Sequence, residues 1–284
     1  MNGCDLRTRE WSDTGREFGF KDGMTYRTRG FLWWTVVFCL VTLQGNAQRG
    51  GVRGGGEAAE QLFALANQAR ARAGAPPLVW DAALAAAAQK HCARMVAEGP
   101  ISHRYGGEPE LSERASMAGA HFSLIEENVA LGSYPAEIHE GWMNSPGHRR
   151  NLLNPEVDRV GIAVIAGRGE LYAVADYTKG VVVLSRAQVE EKVGALIHTS
   201  GLSLRSDPRD ARAACEMDRG IPGTLTGKQP GFIMRWQSAD LGTLPQQLVQ
   251  RMGSREYHLA SVGACTPQGD QTEFTQFRVA VLLY

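Results

Sequence analysis

The sequence predicts a mixed α/β chain, with two folded units behind an N-terminal leader. Three observations carry this. Leu62, Leu65, Ala66, Ala69 and Ala73 recur at the helical period and stop before Gly74 and the pair Pro76-Pro77. The runs "VGIAVIA" and "LYAVADYT" read as two strands joined by the glycine-containing turn "GRGE". Beyond Gly180, Ser185 and Gln188 stand at capping-box spacing ahead of a stripe of Val189, Val193, Leu196 and Ile197 that Gly201 ends.

The elements follow in order. "QRGGVRGGG" (48–56) reads as a glycine-rich linker with no core-forming residue. A helix starts at about Glu57. "LVWDAALAAAAQKHCARMVAEG" is a second helix, with Asp81 as N-cap and Gly99 as stop. Residues 100–135 read as loop-rich, with "EENVA" among them, and a helix spans about 135–144. "WMNSPGHRRNLLNP" (142–155) then barely reads as regular structure: Pro146 and Gly147 form a turn that presents His148. The strand pair closes this unit, 57–180. In the second unit, 182–284, "DPRDARAACEM" is a short helix capped by Asp207. "FIMRWQS" is a strand, "LPQQLVQRM" a short helix, and "YHLASVGAC" with "FTQFRVAVLLY" a closing strand pair. No long linker separates the units, so contact between them is expected.

Lys plus Arg equals Asp plus Glu, at 30 each in 284 residues. A balanced chain has no global field to draw nucleic acid or an acidic membrane, and neither is an expected partner. The leader is informative. Arg27 and Arg29 precede an apolar run, Phe31 to Leu43, and Gly45-Asn46-Ala47 places small residues where a signal peptidase reads. Residues 1–47 are thus expected to be a signal peptide, with Met24 as the true start and cleavage after Ala47. A spanning helix needs roughly 20 apolar residues, so the run is short for an uncleaved anchor, which is the alternative. The protein is expected to be secreted or periplasmic, and not an integral membrane protein once cleaved. Cys92, Cys215 and Cys265 then remain, an odd number in an oxidising compartment. Cys92 shares a helical face with Leu84, Ala88 and Met95 and reads as a buried free thiol. Cys215 and Cys265 are candidates to pair.

Three residues invite chemistry: His103 in "GPISHRYGG", Glu127 in "EENVA" and His148 in "NSPGHRR". Two imidazoles and a carboxylate are a ligand set for Zn²⁺ that leaves one position for water, and the same trio suits acid–base work. Scattered histidines and glutamates in loops are more often simply solvated. "HEGWM" (139–143) begins like a helical zinc-protease motif, but Met143 stands where the second histidine belongs, so His139 and Glu140 read as helix-surface residues. His91 reads as a packing or surface residue, Arg114 as a structural ion pair, Trp142 as core, and Asn67 and Asp176 as loop ties. The chain has no "GxSxG" stretch.

From about Leu62 to Tyr177 the chain resembles the CAP superfamily, the sperm-coating-protein or pathogenesis-related-1-like proteins, and most of all its short bacterial members. The stretches that carry the resemblance are "NQARARAGAPPLVWDAALAAAAQKHCARM", "SHR", "SERASMAG", "EENVALG", "WMNSPGHRRNLLNP", "VGIAV" and "LYAVADY". It implies an α-β-α sandwich, followed here by a smaller α+β unit of no recognised family. It also implies a cleft lined by two His and two Glu. His103, Glu127 and His148 match three of these, and Ser145 stands at the fourth. Glu126 replaces the family's usual glycine, so a positive φ there would be strained. The expected function is an exported binding module. Its cleft (His103, Glu127, His148) holds a divalent metal such as Zn²⁺ or a small ligand, and its partner is an unidentified protein, lipid or small molecule. One alternative is a metal-assisted peptidase or esterase using the same residues; another is a lipid or sterol carrier, which needs an apolar groove.

Overall fold

The structure is a computed structural model describing residues 50–223, 225–267 and 273–284. The expected signal peptide and its cleavage site lie outside the described residues. Residues 51–284 form one compact unit.

The first part of the chain runs α1 (Gly50–Ala73), β1 (Val79–Trp80), α2 (Ala82–Glu98), α3 (Leu111–Met117), β2 (Phe122–Gly132), α4 (Pro135–Asn144), α5 (Pro146–Leu153), β3 (Arg159–Gly167) and β4 (Glu170–Gly180). The strands order as β1-β3-β4-β2, with β1 parallel to β3 and the other pairs antiparallel. Strand alternation sends neighbouring side chains to opposite faces. Val129, Ala163, Tyr172 and Val174 meet Ala88, Cys92 and Met95 of α2. Ile162, Val164, Ala173, Ala175 and Tyr177 meet Leu62 and Ala66 of α1, Ile138 and Trp142 of α4, and Leu152 of α5. Helices thus cover both faces of one sheet, which is the expected α-β-α sandwich.

Several local expectations hold. Asp81 caps α2, its Oδ1 accepting from the Ala83 and Leu84 N–H groups at 2.9 and 3.1 Å. Gly99, at φ 113°, ends it. Arg168 and Gly169 both take positive φ, 54° and 88°, the tight turn that a two-residue hairpin requires. Asn67 ties its loop reciprocally to the Leu78 backbone. Others are corrected. The stretch read as a linker is helical from Gly50, and Gly55 lies so close to β3 that a β-carbon there would sit 2.5 Å from the Val164 carbonyl oxygen. The stretch read as loop holds α3 and the eleven-residue β2, which contains "EENVA". The "SPGHRR" segment is α5, with Pro146 in its first turn and Ser145 as N-cap.

Arg70 holds α1 to this helix. It is fully buried and meets no carboxylate among the described residues. Instead it donates to the carbonyls of Pro76 (2.7 Å), Leu152 (2.9 Å), Asn154 (2.9 Å) and Val157 (3.0 Å). A buried guanidinium is tolerable because four of its five N–H donors are spent on fixed dipoles.

The second part runs α6 (Arg186–Thr199), β5 (Ser203–Leu204), α7 (Arg209–Cys215), β6 (Phe232–Ser238), α8 (Gln246–Gly253), β7 (Leu259–Cys265) and β8 (Phe277–Leu283). The capping box of Ser185 and Gln188 is present at the start of α6. The four strands order as β5-β7-β8-β6, again with the short first strand parallel and the rest antiparallel. The faces are covered in the same way. On one, α7 meets Cys265, Ala280 and Leu282. On the other, α6 and α8 meet Val262, Ala264, Val279 and Val281. The second part therefore repeats the topology of the first, with α6, α7 and α8 in the places of α1, α2 and α4. One contact ties the comparison to a residue. A β-carbon on Gly161 would lie 2.0 Å from the Ala85 nitrogen of α2, and one on Gly263 would lie 2.2 Å from the Arg212 nitrogen of α7. In both copies the hairpin comes so near the helix that only glycine fits.

Cys215 and Cys265 form a disulfide, Cα to Cα 5.8 Å. The two sheets also touch: the Thr275 N–H donates to the Phe122 carbonyl at 2.8 Å, and the Phe122 and Phe274 rings meet edge to face at 5.3 Å. Gly263→Ala is expected to lower stability by about 3 kcal/mol, because backbone must move to admit the methyl group. Gly141→Ala in α4, with open space around it, should be neutral or slightly stabilising. Urea denaturation of both variants checks the contrast.

Candidate functional site

Glu127 is the centre of the site. On β2, its side chain lies on the α2 face and is buried. A buried carboxylate needs charge and hydrogen bonds. Arg114, from α3, donates through Nη2 to Glu127 Oε2 at 2.5 Å, and through Nη1 to the His103 carbonyl at 3.1 Å. His103 Nδ1 stands 2.8 Å from Glu127 Oε1, and 52% of its side chain is exposed. Burial pushes the Glu127 carboxyl up, but the His103 hydrogen bond and the charges of Arg114, His91 and His103 outweigh it. The group is held below the usual glutamate range.

His91 supports this centre from α2. It is wholly buried, with Nδ1 2.7 Å from Glu108 Oε1 and Nε2 2.9 Å from the Ser102 carbonyl. Both nitrogens thus face acceptor oxygens. Glu108 Oε2 accepts from the Tyr105 N–H at 3.0 Å. His91 and Glu108 thereby fasten the loop that carries His103.

Beneath Glu127 lies Asp176, its cross-strand partner on β4. Asp176 is fully buried, and no N–H donor among the described residues reaches either of its carboxyl oxygens. Burial, then the Glu127 charge, pushes its pKa well above the ordinary aspartate value of 3.8. Two carboxyls this close share one negative charge, and Glu127 keeps it because Arg114 and His103 sit on that side.

Of the three sequence-designated residues, the structure joins His103 and Glu127 directly. His148 lies on α5, and its carbonyl accepts from Asn128 Nδ2 at 3.0 Å. Asn128 follows Glu127, so its side chain projects to the opposite face of the edge strand β2. Asn151 reaches the Glu127 carbonyl and Asn128 Oδ1, both at 3.1 Å, and Asn154 reaches both oxygens of Glu126. The asparagines of the loop-like motif thus lash α5 along β2. Glu126 does not have a positive φ and carries no backbone strain. Among the described residues no group of three or more His, Cys, Asp or Glu is arranged to hold a metal ion.

Other residues take ordinary places. Trp142 is core, Arg114 is the ion pair expected, and Cys92 is a buried free thiol that burial pushes up to about 12. His139 is half-buried, not a surface residue, and burial lowers its pKa. Asp176 is a core carboxyl, not a loop tie. His91 and Asp176 are the residues that sequence reasoning passed over. Each breaks an apolar pattern: His91 on the α2 stripe of Leu84 and Ala88, Asp176 in step with Tyr172 and Val174 on β4.

Comparison with known proteins gives a consistent family. The model of the CAP, cysteine-rich secretory protein, family matches residues 63–177. The uncharacterised protein YkwD of Bacillus subtilis is 28% identical over 107 residues, 37% of this chain and 42% of its own. The uncharacterised membrane protein YlbC of the same organism is 34% identical over 110 residues, 37% of this chain and 31% of its own. The chain thus spans less than half the length of the curated relatives it matches. A crystal structure titled as an extracellular protein containing a SCP domain, from Bacillus anthracis, is 27% identical. It aligns with a TM-score of 0.44 over 48% of this chain and 44% of that one.

Arg114→Met is expected to cost about 3 kcal/mol by leaving the buried Glu127 carboxylate with histidines alone to balance it, and adding Glu127→Gln should recover most of that loss. Chemical denaturation of the single and double variants checks it. Asp176 supplies a pH test. Its raised pKa means the folded state keeps a proton that the unfolded state loses. The group therefore costs stability as pH rises from about 4 toward its folded pKa. Asp176→Asn should remove that fall, so the variant gains on the wild type as pH climbs to neutral.

Proposed function

We propose, from the premise that residues 63–177 belong to the CAP family, that the protein is an exported binding module. Its ligand is a small polar molecule taken at the exposed face of His103. The observation that carries this is the 2.8 Å contact between His103 and the buried Glu127. A carboxylate on Nδ1 fixes the imidazole's tautomer and orientation and turns Nε2 toward solvent. A half-exposed imidazole mounted on a buried, charge-balanced carboxylate is an oriented hydrogen-bonding group. Export is supported by the disulfide, which belongs to oxidising compartments, and by the leader. No helix among the described residues is long and apolar enough to cross a membrane.

A divalent metal on His103, Glu127 and His148 is a poorer fit to the residues as arranged. Both oxygens of Glu127 are engaged, one by His103 and one by a guanidinium that would repel a cation. The donor set left for a metal is imidazole, with Glu127 as its orienting carboxylate. No reaction step follows from this arrangement, so hydrolysis is not the reading favoured.

A second reading, carriage of an apolar ligand, has its own observation. A groove of about 860 Å³ runs between α1 and α2 beside β3, lined by Phe63, Trp80, Ala86, Ile162 and Val164.

Calorimetric titration of the exported chain with Zn²⁺ and with a panel of small polar ligands tests the first reading. Binding should vanish in His103→Ala/His148→Ala and weaken roughly tenfold or more in Glu127→Gln. Unchanged ligand binding in both would sink it. Lipid recovered by extraction of the purified protein would favour the groove instead.

A further inference from the structure

The repeat of the fold makes the second copy's counterpart of the site addressable. The two glycine contacts set the register. In the first copy Gly161 pairs with Asp176, which pairs with Glu127. In the second, Gly263 pairs with Ala280, which pairs with Arg235. The next rung is Ala163, Val174 and Val129 in the first copy and Cys265, Arg278 and Gln237 in the second. Two carboxyls have gone, and two guanidiniums stand at or beside their places.

The length of one helix explains how they fit. α2 continues to Glu98, and its second half covers Val129 and Val174. α7 ends at Cys215, so the corresponding rung lacks a helical roof. Arg278 is 5% exposed there. Its Nη2 donates to the Met217 carbonyl at 3.0 Å and to Asp218 Oδ1 at 2.9 Å. Arg235 donates through Nε and Nη2 to the carbonyls of Ala214 and Gly220, both at 2.6 Å.

Capping the end of α7 accounts for part of this, since cations suit a helix C-terminus. It does not account for two further features. Arg278 Nη1 is buried with no hydrogen-bond partner among the described residues. And among the described residues the one carboxylate in an ion pair with either arginine is Asp218, on Arg278, and its side chain is 82% exposed. An exposed side chain is a loosely held counter-ion for a buried cation.

We propose that Arg235 and Arg278 form an anion site in the second copy, at the place where the first copy holds its carboxylates, and that it takes a small ligand bearing a carboxylate or phosphate oxyanion. Asp218 is the internal stand-in for that group. The ligand's oxyanion displaces it and supplies the acceptor that Arg278 Nη1 lacks. Arginine suits this because its planar fork presents paired donors to such groups. The site does not depend on the reading of the His103 cleft.

The test is titration of the full chain with citrate and with inorganic phosphate, at fixed ionic strength, followed by calorimetry. Asp218→Asn, which removes the competing charge but keeps an acceptor oxygen, should tighten binding on the order of tenfold, the scale of one charge-assisted hydrogen bond. Arg278→Gln should abolish binding, and Arg235→Gln should do the same and serves if Arg278→Gln does not fold. Citrate binding without phosphate binding identifies a carboxylate ligand, and the reverse identifies a phosphate. Affinity unchanged in Asp218→Asn, or binding retained by a folded arginine variant, overturns the proposal.

Discussion

One negative charge, buried on the α2 face of the first sheet, organises the region around it. Glu127 cannot sit there alone, and each of its needs recruits an element. Arg114 brings α3, and through the His103 carbonyl it also fixes the loop before it. His103 closes the outer side, and His91 holds the same loop from α2. Asp176 beneath it resists taking a second charge, its pKa raised by burial and by the Glu127 carboxylate. The cleft is therefore a consequence of satisfying one carboxylate, and its exposed imidazole is the part left facing solvent.

Much of this was legible in the sequence, for identifiable reasons. Asp81, Gly99, Ser185 and the Arg168-Gly169 turn act through their immediate neighbours, so local pattern suffices. Trp142, Cys92 and the apolar stripe of α1 were readable because periodicity reports burial. The misreadings share a cause as well. β2 carries "EENVA", whose polar residues disguise a strand that is buried on one face and lashed by asparagines on the other. α5 hides behind Pro146 and Gly147, which favour turns locally, but its stability comes from Asn151, Asn154 and Arg70 binding across the chain. Residues 48–56 read as a linker because nothing local shows that α1 is pressed against β3 at Gly55. Partners distant in sequence leave no periodic trace.

The second unit was the part least legible, and the reason is instructive. Its helices and strands could be marked one by one, but the likeness to the first unit lies in strand order, in which face each helix covers, and in a single glycine contact. Those are relations among elements. The residues that define the cleft of the first copy are replaced in the second, so the polar positions most conspicuous in a sequence are where the two copies differ most.

The lone cysteine bears on how the chain acquires its disulfide. Among the described residues three cysteines allow three pairings, and the structure pairs Cys215 with Cys265. Cys92 lies under the first sheet, its sulfur donating to the Tyr172 carbonyl, and burial keeps its proton in place. Once that sheet has closed, the thiol is withdrawn from exchange. The odd cysteine is thus silenced by burial, which leaves Cys215 and Cys265 to each other.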